Sequence, residues 1–178
     1  MSFDARAVVL MLAALPALAA AQAAPSPVAD AFRAYEQRSA KNLVAALQVM
    51  PADKYGYKPT PAQMSVAAIA THLAQGNDYF CSMVGGTDAP KRDSLAADAP
   101  KDKLVARLQE TFDFCQTALA KLDDSGLSEE LPFFGGSKAT RARVMFVTVG
   151  DWEDHYSQLA NYLRLNGLLP PTARRQGQ

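Results

Sequence analysis

Residues 87–100, TDAPKRDSLAADAP, decide how this chain can fold. The stretch is charged, carries two prolines and has no hydrophobic period, so it reads as a loop. It is long for a plain hairpin connection between bundle helices. An amphipathic segment lies on each side. Ser65 caps a second helix from about Val66 to Val84, with Ile69, His72, Leu73, Gly76, Phe80 and Met83 on its inner face and Gly85–Gly86 as its stop. A third helix runs from about Lys101 to Asp124, lined by Leu104, Leu108, Phe112, Cys115, Leu119 and Leu122, with Gly126 suited to a C-terminal cap.

The only two cysteines sit on these helices, Cys81 near the end of one and Cys115 past the middle of the other. If the helices ran antiparallel, the cysteines would differ in height by roughly 15–20 Å at 1.5 Å per residue. If they run parallel, the heights nearly match, and residues 87–100 are long enough to carry the chain back. A disulfide and a crossover therefore support each other. The alternative is a pair of buried free thiols.

Two further helices flank this unit. Ser26-Pro27 opens the first, with Val28, Phe32, Tyr35, Ser39, Leu43, Leu47 and Met50 on one face, and Pro51 ends it. The linker Tyr55–Pro61 holds two prolines and favours extended chain. Residues 127–138 form an irregular connection. The fourth helix starts near Thr140 and ends at Gly167, with Val144, Thr148, Asp151, His155, Leu159 and Tyr162 facing inward. No period-two strand pattern appears. The expected fold is all-α, a four-helix bundle with a long crossover between helices two and three.

The N-terminus reads as a segment apart. Arg6 precedes an apolar run, Ala7 to Ala20, and Ala21-Gln22-Ala23 fits a small-x-small cleavage site. This is a signal-peptide pattern, which gives residues 1–23 as leader and 24–178 as the bundle domain. The run is shorter than the ~20 residues a spanning helix needs. The alternative is an uncleaved amphipathic N-terminus. Cleavage would leave an exported protein without a stable membrane anchor, compatible with a bacterial periplasm. Basic and acidic residues balance at 18 each, so nucleic acid is not an expected partner.

The chain has only two histidines, His72 and His155, both on expected inner faces. Asp151 lies four residues before His155, so their side chains stack on one helix face. A buried carboxylate without a partner is costly, and a metal ion resolves that cost while accounting for both histidines. Two imidazoles and a carboxylate leave coordination positions open for water or substrate. The plainer reading is a pair of hydrogen-bonded core histidines. Gly76, one turn after His72, and Gly150, next to Asp151, suggest close approach or needed room. Glu153 points about 200° from Asp151 around the helix. Asp154 lies nearer and would either orient a ligand or remain a solvated charge. Tyr79 and Tyr162 are candidates to line the cavity, or simple core.

Several stretches resemble the DinB-like (damage-inducible, YfiT-type) superfamily. They are Tyr57-Lys58-Pro59-Thr60-Pro61 running to Met64-Ser65-Val66, then Thr71-His72-Leu73, then Asp151 to Tyr156 followed by Asn161 to Arg164 and Gly167 to Pro171. The resemblance covers about Val28 to Pro171. It implies a four-helix bundle with a long crossover. It also implies a divalent metal held by three histidines, one on helix two and an H-x-x-x-H pair on the last helix. His72 and His155 match two of these, and Asp151 stands where the family has the third. Zinc, nickel, iron and manganese all accept that set, so the metal's identity is open. The implied activity is a metal-dependent hydrolase or transferase acting on a small molecule that the sequence does not identify. The alternative is a non-catalytic metal-binding or structural bundle. The family's bundles often self-associate, which allows a homodimer. Relatives include thiol transferases, a chemistry that export argues against because small thiols are scarce in oxidising compartments.

Overall fold

The structure, a computed structural model, describes residues 25–96 and 98–174. The expected leader, residues 1–23, lies outside the described residues. Four helices dominate: α1 (Pro27–Val49), α2 (Val66–Gly85), α3 (Lys101–Leu119) and α4 (Arg141–Leu165). No helix among the described residues is long and apolar enough to cross a membrane. One expectation is corrected. Residues 130–140 form a small hairpin in which β1 (Glu130–Pro132) pairs antiparallel with β2 (Lys138–Thr140), Leu131 opposite Ala139. Each strand is only three residues long, too short to show a period of two.

The second and third helices run parallel. Asn77 meets Thr111, Cys81 meets Cys115, and Gly85 meets Ala118, so partners ascend together along both helices. Cys81 and Cys115 form a disulfide with their Cα atoms 5.1 Å apart. Gly85 allows the closest approach, because a Cβ there would run into the Ala118 carbonyl. Arg92 of the crossover donates to Asp78 on α2 at 2.7 Å, and Arg107 on α3 donates to the Asp93 carbonyl at 2.9 Å. These contacts hold the long loop against both helices.

The fourth helix descends against α2, as the pairs Val84–Arg141 and His72–Asp151 show. It runs parallel to α1, where Phe32 stacks on Trp152 at 5.8 Å. The helices follow one another around the bundle as α1, α3, α2, α4. The core between them holds Leu43, Leu47, Ile69, Leu73, Leu108, Phe112, Trp152, Leu159 and Tyr162, all buried.

Three local expectations change. The third helix stops at Leu119, short of Asp124, and Gly126 lies in a 3-10 turn instead of capping it. Residues 120–126 are committed to α1: Arg33 donates to the Leu119 and Leu122 carbonyls, and the Asp124 carboxylate accepts from the amides of Val28 and Ala29. That carboxylate, not the Ser26 side chain, caps α1. Finally, Val28 and Tyr35 are exposed, while Ala29 and Glu36 are buried. The buried face of α1 is turned by about one residue, because α1 packs against α3 on one side and α4 on the other.

Glu36 is then an acidic residue in a buried position, only 3% exposed. It lies beside Phe112 and Asp113 of α3. Burial, reinforced by the Asp113 charge, pushes its pKa from 4.5 up to about 7.

Two outcomes follow from this packing. Replacing both Cys81 and Cys115 by serine frees a loop closed over 34 residues and should lower unfolding free energy by about 2–4 kcal/mol in urea titrations. Glu36 keeps its proton in the folded state to about pH 7 and loses it near 4.5 when unfolded. Its contribution is therefore fully present below about 4.5 and is lost as pH rises to 7, on the order of 3 kcal/mol in total. Glu36→Gln should flatten that slope and raise the urea midpoint at pH 7.5 above wild type; an unchanged slope would show that Glu36 does not cause it.

Candidate metal centre

Parallel packing of α2 and α3 leaves α2 and α4 face to face, and this brings the two histidines together. His72 Nε2 lies 3.2 Å from Asp151 Oδ1, and His155 Nε2 lies 3.5 Å from the same oxygen. The imidazole centroids are 4.6 Å apart at 65°. One ligand atom from each residue falls within 4.8 Å of the other two. An ion about 2.1 Å from each donor would set ligand–ligand edges of roughly 3.0–3.4 Å. Both carboxylate–imidazole separations fit that spacing closely, so the residues suit a divalent ion.

Exposure grades across the group. The side chain of His155 is 8% exposed, that of Asp151 20%, and that of His72 47%. His72 thus stands at the rim, not on the inner face predicted for it, and the group opens to solvent on its side. The rotation that buries Leu73 and Asn77 turns His72 outward.

The electrostatics are those of a mutually satisfied set. Burial pushes the Asp151 carboxyl up, but hydrogen bonds and charge from His155 and His72 prevail and hold it below its ordinary value. Burial pushes His155 down, but the Asp151 hydrogen bond and charge, helped by Asp154 and Gln158, hold it above its ordinary value. Asp154 otherwise accepts from Gln158 at the surface, at 2.8 Å. Glu153 faces away, toward Arg38. The buried Nδ1 of His155 has no partner among the described residues.

Gly76 lies beside the carboxylate, and a Cβ there would make ordinary contacts. A Cβ there would stand 3.4 Å from Asp151 Oδ2 and 3.9 Å from the Phe80 ring. At Gly150 no described atom lies within 4 Å of where its Cβ would be; nothing in the structure explains that glycine. The tyrosines separate. Tyr162 is buried, donates to the Met64 carbonyl at 3.0 Å and meets Tyr57 edge-on, so it fastens the linker to α4. Tyr79 is exposed and stacks on Phe134.

One residue that the periodicity did not single out organises the centre. Asn77 is buried between three helices. Its Oδ1 accepts from Trp152 Nε1 at 2.8 Å, and its Nδ2 donates to Thr111 Oγ1 at 3.1 Å. It therefore sets the rotation of α4 at the residue next to Asp151. The available signal was a polar residue beside the inward Leu73 and Gly76 on an otherwise apolar face. Asn77→Ala should cost about 2–4 kcal/mol in urea unfolding, because the indole N–H loses its buried acceptor and a cavity opens. A cost below about 1 kcal/mol would mean that this bridge is not needed.

The sequence pattern of the DinB superfamily matches residues 35–159. A DinB-like protein from Bacillus subtilis superimposes with a TM-score of 0.65 at 19% identity, covering 82% of this chain and 99% of that one. One from Bacillus cereus gives 0.65 at 16% identity, covering 80% and 95%. A mycothiol-dependent maleylpyruvate isomerase shares the fold at 0.59 and 12% identity, with 74% of this chain and 60% of that one covered. No curated protein matches significantly. The pattern match spans the helices that carry His72, Asp151 and His155 as well as the Cys81–Cys115 pair, and on that ground the chain belongs to the DinB superfamily.

Proposed function

We propose that this is an exported metalloprotein in which His72, Asp151 and His155 hold one divalent transition metal. The observation that carries the reading is the convergence of three donor side chains, from two helices, within 4.8 Å, with both carboxylate–imidazole separations near those an ion would impose. A metal bound there would act as a Lewis acid and lower the pKa of a coordinated water. The protein's part is to fix the donors. Asn77 and Trp152 hold α4 in rotation, Asp151 orients both imidazoles, and half-exposed His72 leaves the open side to a small substrate. The class of reaction this supports is hydrolysis or group transfer. The mycothiol-dependent isomerase of the same fold makes thiol chemistry the natural comparison. The leader pattern and the disulfide argue for an oxidising compartment, where small thiols are scarce.

A second reading is a bundle without catalysis. It is favoured by the same Asp151, which replaces a family histidine and already pairs with Nε2 of both imidazoles.

The deciding experiment is elemental analysis of the exported protein, purified without chelator or metal-affinity resin. It is paired with cobalt titration followed through the fluorescence of Trp152, the only tryptophan. About one equivalent of metal is expected, with saturable quenching. His155→Ala should weaken binding at least tenfold, and Asp151→His should retain it with a changed cobalt spectrum. A helical protein with no saturable binding, unchanged by either substitution, would put the non-catalytic reading in its place.

A further inference from the structure

The face of α2 that carries His72 continues through Gly76 to Tyr79 and Phe80. These residues lie one and two turns further along, a rise of roughly 10–12 Å from His72 to the aromatic pair at 1.5 Å per residue. Helical side chains lean toward the N-terminus, here back toward Gly76 and the metal group. Between the two lies Gly76, whose Cβ position is 3.4 Å from the Asp151 carboxylate and 3.9 Å from the Phe80 ring. The carboxylate and the ring edge therefore border the same gap.

Beyond the gap lies a ring cluster in which Phe80 is buried, 6% exposed, and the other two rings are open to solvent. Phe134 lies flat against Tyr79, at 5.2 Å and 19°, and edge-on to Phe80, at 5.8 Å and 87°. Tyr79 and Phe80 meet edge-on at 5.2 Å. Phe134 is 55% exposed and Tyr79 38%. Phe134 sits in the turn of the β1–β2 hairpin, where Gly135 and Gly136 both take positive φ. The hairpin itself buries Leu131 and Ala139, so its attachment to the bundle does not depend on Phe134. The stacked Tyr79 and Phe134 rings, backed edge-on by buried Phe80, mark a binding surface, because both leave apolar area in water that a flat partner could cover.

We infer that Tyr79, Phe80 and Phe134 are the substrate's second anchor: they bind a flat apolar or aromatic group whose polar head sits at His72, Asp151 and His155. This rests on the metal reading and narrows the substrate to a small molecule with a metal-binding head and a ring roughly 10 Å away, the rise between His72 and Tyr79. A small molecule fits better than a protein partner because the ring cluster is continuous with Asp151 across the Gly76 gap.

The test compares two hydroxamates with the same head, acetohydroxamate and 4-phenylbutyrohydroxamate, binding to the metal-loaded protein by calorimetry. The aryl compound should bind at least tenfold tighter. The exposed-residue variants Phe134→Ala and Tyr79→Ala should erase that preference while leaving metal content, helicity and acetohydroxamate affinity as in wild type. Equal affinities in wild type, or a preference that survives both substitutions, would overturn the platform and leave the metal reading standing. If the protein retains no metal and acetohydroxamate fails to bind, the metal reading has failed instead. The platform is then read by saturation-transfer NMR with 4-phenylbutyrate and metal-free protein: ring saturation that disappears in the double variant supports it, and no saturation in wild type overturns it.

Discussion

The seam between α2 and α3 is the constraint from which the rest of the structure follows. Two helices consecutive in sequence can lie parallel only if the chain returns along their full length, and residues 86–100 do this. Three contacts fix the register of the seam: the Asn77–Thr111 hydrogen bond, the Cys81–Cys115 disulfide and the close approach of Gly85 to Ala118. With α2 and α3 parallel, α4 must return against α2 from the other end, and His72 then meets Asp151 and His155. The Asn77 amide couples the seam to the His72–Asp151–His155 group, because one side chain binds α3 through Thr111 and α4 through Trp152.

The helix ends are closed by side chains from elsewhere in the fold. Lys101 donates to the Gln48 and Met50 carbonyls at the end of α1, both at 2.7 Å. Arg141 reaches the Met83 and Val84 carbonyls at the end of α2. Arg33 does the same for α3, and Asp124 receives the first amides of α1. Terminal amides and carbonyls lack partners within their own helix, and each of these ion-to-dipole contacts also matches the sign of the helix dipole. The helices are thereby tied at their ends as well as through their core. That matters for a donor group whose two halves sit on different helices, since a small shift of α4 along α2 would separate His72 from Asp151.

Much of this was legible in the sequence, and the gaps have a common cause. Helix positions followed from capping residues, glycines and prolines, which act locally. The disulfide and the crossover followed from a height argument that needs only the rise per residue. His72 and His155 stood out because the chain has only two histidines, and Asp151 because it lies four residues before His155. What the periodicity missed depends on contacts between distant segments. Glu36 is buried and Tyr35 exposed because α3 and α4 together set the orientation of α1, a choice the pattern on α1 alone leaves open. Asp124 caps a helix 95 residues away. The hairpin is too short to carry a period, and Asn77 looked like any polar residue until Trp152 and Thr111 closed on it.

Asp151 decides what kind of ion the site would suit. Three neutral imidazoles carry no charge and favour borderline metals such as zinc and nickel. Two imidazoles and a carboxylate carry one negative charge and admit harder ions such as manganese and iron. The carboxylate also lowers the net charge left on a divalent ion, and with it the pull on the pKa of a coordinated water. A histidine at that position could meet neither neighbouring imidazole as an anionic acceptor, so the pairing of both imidazoles with one oxygen depends on the aspartate. Its Oδ1 faces both histidines, while Oδ2 faces the position where Gly76 has no side chain. A bulkier residue at position 76 would crowd that oxygen and disturb the donor geometry.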